Sequence, residues 1–131
     1  MDDVLAYLKE AKTYHLATVK DGKPEVRPFG TACIFEGKLY IQTGKAKDVY
    51  RQLSENPAVA ISACKEDGTW LRISATAAVD DRIEANQAVL DEYPELAPLY
   101  KADDGNCVVF SLEDAVATFF SFTEAPRQVA F

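Results

Sequence analysis

Short apolar runs separated by turn residues dominate the chain and predict a mainly β protein. Strands are predicted over residues 14–19, 26–35, 38–43, 58–64, 70–79, 107–112 and 115–122, with residues 129–131 as a candidate short last strand. Asp21-Gly22 and Glu36-Gly37 are hairpin turn pairs, so neighbouring strands should be antiparallel. We therefore predict an antiparallel sheet of about six or seven strands, a size that commonly closes into a barrel.

Helical spacing appears only in the connections between these strands. Asp2 and Asp3 precede a short opening helix, and residues 47–55 form a second helix that stops at Asn56-Pro57. A third is predicted from Asp80-Asp81 to about Tyr93, with Ile83, Leu90 and Tyr93 on its inner stripe. No repeat, linker or low-complexity stretch interrupts the pattern, so we expect a single domain over residues 1–131.

Charge is unevenly distributed along the chain. The formal net charge is −7, which argues against binding to nucleic acid or to anionic membranes. Residues 20–51 nevertheless hold seven Lys/Arg against four Asp/Glu, a local charge of +3. This basic segment is where a bound anion is expected.

Isolated cysteines and a single histidine exclude several kinds of chemistry. Cys33, Cys64 and Cys107 lie apart in apolar runs and are interpreted as buried, reduced thiols. His15 is interpreted as a satisfied core residue, which leaves no nucleophile–base pair and no metal site. The N-terminus lacks an apolar signal core and no run is long enough to span a bilayer, so we expect a cytoplasmic protein.

Residues 40–51 run from a strand through a glycine turn into a helix start, an arrangement that suits a phosphate. Thr43 can donate a hydrogen bond, and Lys45, Lys47 and Arg51 can supply positive charge. The alternative is an ordinary solvated helix entry that happens to be rich in lysine.

Two other segments are candidate ligand contacts. Arg27 lies within a predicted strand beside Pro28 and Gly30, which leave backbone groups free to bond a flat heterocycle. The alternative is an edge-strand arginine next to a bulge. Trp70 and Arg72 share one strand face and could flank a planar ligand, or Trp70 could cover a barrel end.

The order of these motifs resembles a known family. R-P-F-G at 27–30, L-Y-x-x-T-G-x-x-K-D-V-Y-x-Q-L at 39–53, N-P-x-V at 56–59 and W-L-R-I-S at 70–74 together resemble the pyridoxamine 5′-phosphate oxidase-like proteins. The resemblance covers nearly the whole chain and is strongest to short bacterial members near the nitroimidazole-resistance branch. It implies an FMN-binding split β-barrel that forms a homodimer, with two FMN sites at the subunit interface.

The resemblance also implies roles for individual residues. Arg27 and Lys47 would hold the FMN phosphate, with a hydrogen bond from Thr43 and assistance from Lys45. The isoalloxazine would be lined by backbone groups of residues 28–30 together with one side chain, and the partner subunit would bring two more. These residues are Pro28, Phe29, Gly30 and Gln42 for the lining, and Trp70 and Arg72 from the partner.

The resemblance implies an FMN-dependent oxidoreductase acting on a small aromatic or nitro-bearing molecule, with NADH or NADPH as a candidate reductant. The name-giving enzymes end in an arginine-rich segment, whereas residues 127–131 here contain one basic residue. We therefore do not expect oxidation of pyridoxamine phosphate. A non-enzymatic flavin-binding protein for storage or sensing, and a cofactor-free interaction module, remain as alternatives.

Overall fold

A computed structural model describes all 131 residues. The strands are β1 (Tyr14–Lys20), β2 (Lys23–Phe29), β3 (Cys33–Phe35), β4 (Lys38–Gly44), β5 (Ala58–Cys64), β6 (Trp70–Asp80), β7 (Cys107–Phe120) and β8 (Arg127–Ala130). The helices are α1 (Asp2–Ala11), α2 (Asp48–Glu55) and α3 (Ile83–Glu92), followed by a 3-10 turn, Pro94–Leu96. Every strand pairing is antiparallel, in the order β2-β1-β5-β6-β7-β4-β3 with β8 beside β7. The predicted mainly β, antiparallel class is confirmed.

The strand count is eight rather than the predicted six or seven, and the chain is divided differently. Residues 26–35 form two strands because the Tyr93 hydroxyl takes both backbone groups of Ala32, at 3.0 and 3.1 Å, and the chain turns there. Residues 107–122, predicted as two strands, are instead mostly one strand. Asp114 has a φ of 49° and the register slips between Ser74 and Thr76, so a bulge absorbs the apparent break.

The core lies between the inward-facing side of the sheet and the helices packed against it. Leu16, Ile61, Ile73 and Ala117 are neighbours across four strands, and each is at most 2% exposed. Burial of each large aliphatic side chain contributes about 1.5–3 kcal/mol. This continuous apolar layer fixes the strands that carry the candidate site.

The outer face of the same sheet carries a row of small or apolar side chains. Val26, Ala17, Ala60, Ser74 and Val116 are register partners in one row across five strands. Val26 is 66% exposed and Val116 is 37% exposed. A row of this kind on a sheet is typical of a surface that packs against another element.

His15 and Cys64 lie on this outer face, so their interpretation as core residues is wrong. Strand alternation is the reason, because Leu16 and Ala63 point inward and their neighbours must point outward. Cys33 and Cys107 are buried as predicted. Burial raises the pKa of the Cys33 thiol to about 11.

The third helix begins later than predicted, and its inner stripe differs. Asp80 is the last residue of β6, so α3 starts at Ile83 and buries Ala85, Asn86 and Val89. Ile83, predicted to be inward, is 53% exposed. None of the helices has both the length and the apolar character needed to cross a lipid bilayer.

Candidate functional site

A cavity of about 550 Å³ lies where β4 ends and α2 begins. Its walls come from the end of β2 and the residues after it, the end of β4, the start of α2 and the segment after α3. Seven of the ten predicted cofactor residues line it, namely Arg27, Pro28, Phe29, Gly30, Gln42, Thr43 and Lys47. The volume falls within the range of small-molecule sites.

Arg27 is held in this cavity by neutral groups only. Its Nη1 donates to the Leu16 carbonyl at 3.2 Å and to the Thr18 hydroxyl at 2.7 Å. Its Nη2 donates to Gln52 Oε1 at 2.6 Å. Burial lowers the pKa of Arg27, but a guanidinium stays charged at any physiological pH. The cavity wall therefore carries a positive charge with no ion-pair partner.

Lys47 adds a second cation at the start of α2. It is the N-cap residue, it is exposed, and it makes no ion pair. No side chain caps this helix, so its first amides lack the usual side-chain acceptor. The nearby Asp48 carboxylate is already paired with Arg51 Nη2 at 2.6 Å. The helix start and Lys47 together favour an anion.

Two side chains at the end of β4 have hydrogen-bonding capacity left over. Thr43 is 4% exposed and lines the cavity, yet its hydroxyl has no partner in the chain. Gln42 Nε2 donates to the Thr43 carbonyl at 2.9 Å and contacts Cys107 Sγ at 3.8 Å, and separately no donor of the chain reaches Gln42 Oε1. Both residues line the cavity.

The remaining wall was not predicted from the sequence. Tyr93, Leu96, Leu99 and Tyr100 come from the segment after α3 and give the cavity an aromatic and apolar side. Leu99 is 72% exposed, so the apolar side of the cavity faces solvent at this position. The only hint of this wall in the sequence is the short apolar stretch around Pro94 and Pro98. That this stretch packs beside β4 follows from the tertiary structure and from nothing local in the sequence.

Lys45 does not line the cavity. Its ammonium lies 3.6 Å from the Asp81 carboxylate, and both side chains are exposed. Such surface ion pairs are weak. Lys45 is therefore adjacent to the cavity, with its charge partly engaged.

Trp70 and Arg72 lie elsewhere in the subunit. Register pairing runs from Pro28 through His15 and Ser62 to Arg72, a distance of three strand spacings or roughly 14 Å. The Trp70 ring stacks on Phe120, with centroids 5.2 Å apart and planes at 9°. Within one subunit these two side chains do not join the other predicted residues.

The residues that meet at the cavity fit a phosphate monoester attached to a flat ring. Two cations without an ion-pair partner, a free hydroxyl and an uncapped helix start form one donor set, although the Asp48 and Glu95 carboxylates also line the cavity. Beside them, Pro28 has no N–H and Gly30 has no side chain, so the ladder leaves room for a planar group.

Comparison with known proteins agrees with this geometry. The sequence model described as pyridoxamine 5′-phosphate oxidase matches residues 1–113. The chain belongs to the pyridoxamine 5′-phosphate oxidase family. This is a family of flavin-binding oxidoreductases, and membership confirms the resemblance seen in the motifs. No curated protein matches the chain.

Three solved structures show how similar this chain is to individual proteins. A NimC/NimA family protein from Clostridium acetobutylicum is 35% identical with a TM-score of 0.97, covering 100% of this chain and 92% of that one. The General Stress Protein 26 from Bacillus anthracis is 15% identical with a TM-score of 0.76, covering 99% and 97%. A pyridoxamine 5′-phosphate oxidase-related, FMN-binding protein from Nostoc punctiforme is 14% identical with a TM-score of 0.66, covering 99% and 95%. The last two show the split-barrel fold alone.

Proposed function

We propose that this family member is an FMN-binding oxidoreductase of a small molecule, acting as a homodimer of single-domain subunits. One observation carries the proposal. Arg27 and Lys47 line the same cavity as the uncapped start of α2, and neither is neutralised by a carboxylate. Folding rarely leaves two cations converging in this way unless an anion belongs between them.

The proposed contacts follow from what lines the cavity. Arg27 and Lys47 bind the phosphate, and the Thr43 hydroxyl donates the hydrogen bond for which it has no partner in the chain. Lys45 assists if its exposed ion pair with Asp81 opens. The ring lies along Pro28, Phe29 and Gly30, with Gln42 Oε1 as an acceptor for a ring N–H.

The proposed dimer uses the outer face of the sheet. Pro28, His15, Ser62 and Arg72 form a register row across that face, next to the row of small and apolar residues. A two-fold axis through the middle of this row would set the partner's Arg72 opposite Pro28. Members of the family typically dimerise, which supports this arrangement. Only a partner subunit can bring Trp70 and Arg72 to the cavity.

The chemistry divides between the cofactor and the chain. FMN supplies electron transfer when it is bound. The chain binds the phosphate, orients the ring and keeps one side of the cavity aromatic, with Tyr93 and Tyr100 as its wall. This aromatic wall favours the binding of a flat aromatic or nitroaromatic substrate over the binding of a highly charged one.

The first experiment is the visible spectrum and mass of the small molecule that co-purifies with the protein, followed by titration with FMN and riboflavin. We expect a yellow protein, FMN by mass, and tighter binding of FMN than of riboflavin because riboflavin lacks the phosphate. A protein that stays colourless after incubation with FMN would contradict the proposal.

The second experiment separates the oxidoreductase from a flavin-storage or sensing protein. Anaerobic stopped-flow mixing with NADH or NADPH should bleach the flavin absorbance, and a nitroaromatic should reoxidise it. Flavin that binds tightly but is neither bleached nor turned over would favour the non-enzymatic alternative.

Sedimentation of the wild type and of Ala60→Lys tests the dimer. Because Ala60→Lys places a charge in the outer row, the wild type should sediment as a dimer and the variant as a monomer.

A further inference from the structure

Gln52 of α2 is a buried polar side chain beneath the candidate site. It is 6% exposed, and its Oε1 accepts hydrogen bonds from Arg27 Nη2 and from the Thr18 hydroxyl, both at 2.6 Å. The Thr18 hydroxyl in turn accepts from Arg27 Nη1 at 2.7 Å. Thr18, Gln52 and Arg27 thus close a triangle that fixes one end of the guanidinium.

This triangle decides which edge of Arg27 is left for a ligand. A guanidinium carries five N–H donors in a rigid fork. Nη1 uses both of its donors, on Leu16 and Thr18, and Nη2 uses one on Gln52. The remaining pair, one on Nε and one on Nη2, lies along a single edge. Such an edge matches two oxygens of a phosphate.

The neutrality of Gln52 matters as much as its position. An amide oxygen can hold the guanidinium without cancelling its charge, whereas a carboxylate in the same place would form an ion pair. Arg82 shows that second case, because it is held by the carboxylates of Asp80 and Glu36. Position 52 therefore combines restraint of Arg27 with preservation of its charge.

We propose that Gln52 is a positioning residue that presents Arg27 to a phosphate and sets the preference of the site for FMN over flavins without a phosphate. The inference rests on the proposed function, since it assigns the part of the FMN site that reads the phosphate. Gln52 itself does not line the cavity and acts through Arg27.

Gln52→Glu is the sharpest test because it keeps the side-chain length and the acceptor oxygen, and replaces the amide NH2, which makes no hydrogen bond within the chain, by a charged oxygen. We expect FMN binding to weaken about 10- to 100-fold, the size of a lost hydrogen bond to a charged group, while riboflavin binding stays unchanged. Thr18→Val removes the hydroxyl at similar volume and should weaken FMN binding less, in the same direction. Fluorescence titration with FMN and riboflavin gives the affinity ratio for each variant.

A double-mutant cycle distinguishes positioning from a general structural role. In an Arg27→Gln background, adding Gln52→Glu should leave the ratio of FMN to riboflavin affinity unchanged, because the group it acts through is gone. A further drop of the ratio in that background would overturn the assignment. Thermal unfolding of each variant confirms that the fold is retained.

The outcomes separate this inference from the proposed function. If the wild type binds riboflavin as tightly as FMN, both the proposed phosphate site and the role of Gln52 are contradicted. If the wild type prefers FMN and folded Gln52→Glu keeps that preference, only the role of Gln52 fails. Should Gln52→Glu not fold, Thr18→Val decides, and an unchanged ratio in that variant overturns the inference.

Discussion

An arginine from another element lies near each end of β4, Arg82 before α3 and Arg27 in β2, and the two have opposite kinds of partner. At the start of the strand, Arg82 donates to both oxygens of Glu36, at 3.2 and 2.9 Å, and to both oxygens of Asp80, at 3.0 and 2.9 Å. At its exit, Arg27 has only neutral partners and Lys47 has none. We call the first the closed corner, because carboxylates neutralise the charge of Arg82, and the second the open corner, because the charge of Arg27 has no ion-pair partner and is available to an anion.

The pKa shifts show how completely the first corner is closed. Hydrogen bonds from Arg82 and Tyr40 hold the pKa of Asp80 well below its usual range. Burial and the hydrogen bond to Asp80 raise the pKa of Tyr40 to about 12. The comparison teaches that an arginine indicates a ligand site only when its charge is left uncompensated, which the residue type alone does not reveal.

Arg27→Gln should have the largest effect on ligand binding. It removes the charge and the free edge of the fork, so FMN affinity should fall about 10- to 100-fold while riboflavin affinity changes little. Flavin fluorescence titration measures both. Arg82→Gln is the matched control at the closed corner and should leave FMN affinity unchanged. Equal losses for the two flavins in Arg27→Gln would show that Arg27 supports the fold instead of the phosphate.

Gly44 lies at the open corner and Gly37 at the closed corner, and replacing each by alanine tests how tightly that corner is packed. A Cβ on Gly44 would lie 3.0 Å from Tyr100 Oη and from Asn106 Nδ2, so Gly44→Ala should destabilise by about 1–3 kcal/mol. Because Tyr100 also lines the cavity, FMN affinity should fall too. Gly37 has open space but a φ of +76°, so Gly37→Ala should cost about 1–2 kcal/mol with no change in FMN affinity. Thermal unfolding and titration separate the two effects.

Lys47→Gln should weaken FMN binding less than Arg27→Gln. Its exposed ammonium is well hydrated and flexible, so we expect about tenfold or less. The salt dependence of FMN affinity should also become shallower, because an exposed charge is screened by added ions. Titrations at low and high salt check this, and an unchanged slope would remove Lys47 from the phosphate site.

Arg82→Gln should reveal a smaller, pH-dependent effect on stability. The pKa of Asp80 is depressed in the folded state, so its contribution is fully present above the unfolded value of about 3.9 and is lost as pH falls through the folded value. The difference in Tm between wild type and Arg82→Gln should therefore be constant near neutral pH and shrink below about pH 4. A difference that persists unchanged at acid pH would contradict the ion-pair explanation.

Much of the fold and of the site could be predicted because it depends on local pattern. The turn at Asp21-Gly22, the helix stop at Asn56-Pro57 and the alternation of β5 all follow from residue type and spacing. The apolar neighbours of His15 predict burial, whereas the alternation of the strand, with Tyr14 and Leu16 inward, turns His15 outward. The Asp114 bulge was missed because only the slipped register beside β6 makes it visible.

The class of the sheet, the basic segment over residues 20–51 and the motifs that mark the family could be read from residue order, because these are properties of neighbouring residues. The folded arrangement is what gives Arg82 the distant Glu36 carboxylate in addition to Asp80, and gives Arg27 the neutral Gln52 of α2. It also decided that Gln52 and Tyr100 stand beside the site. Electrostatic compensation is a matter of distance in space, and distance in the chain does not encode it.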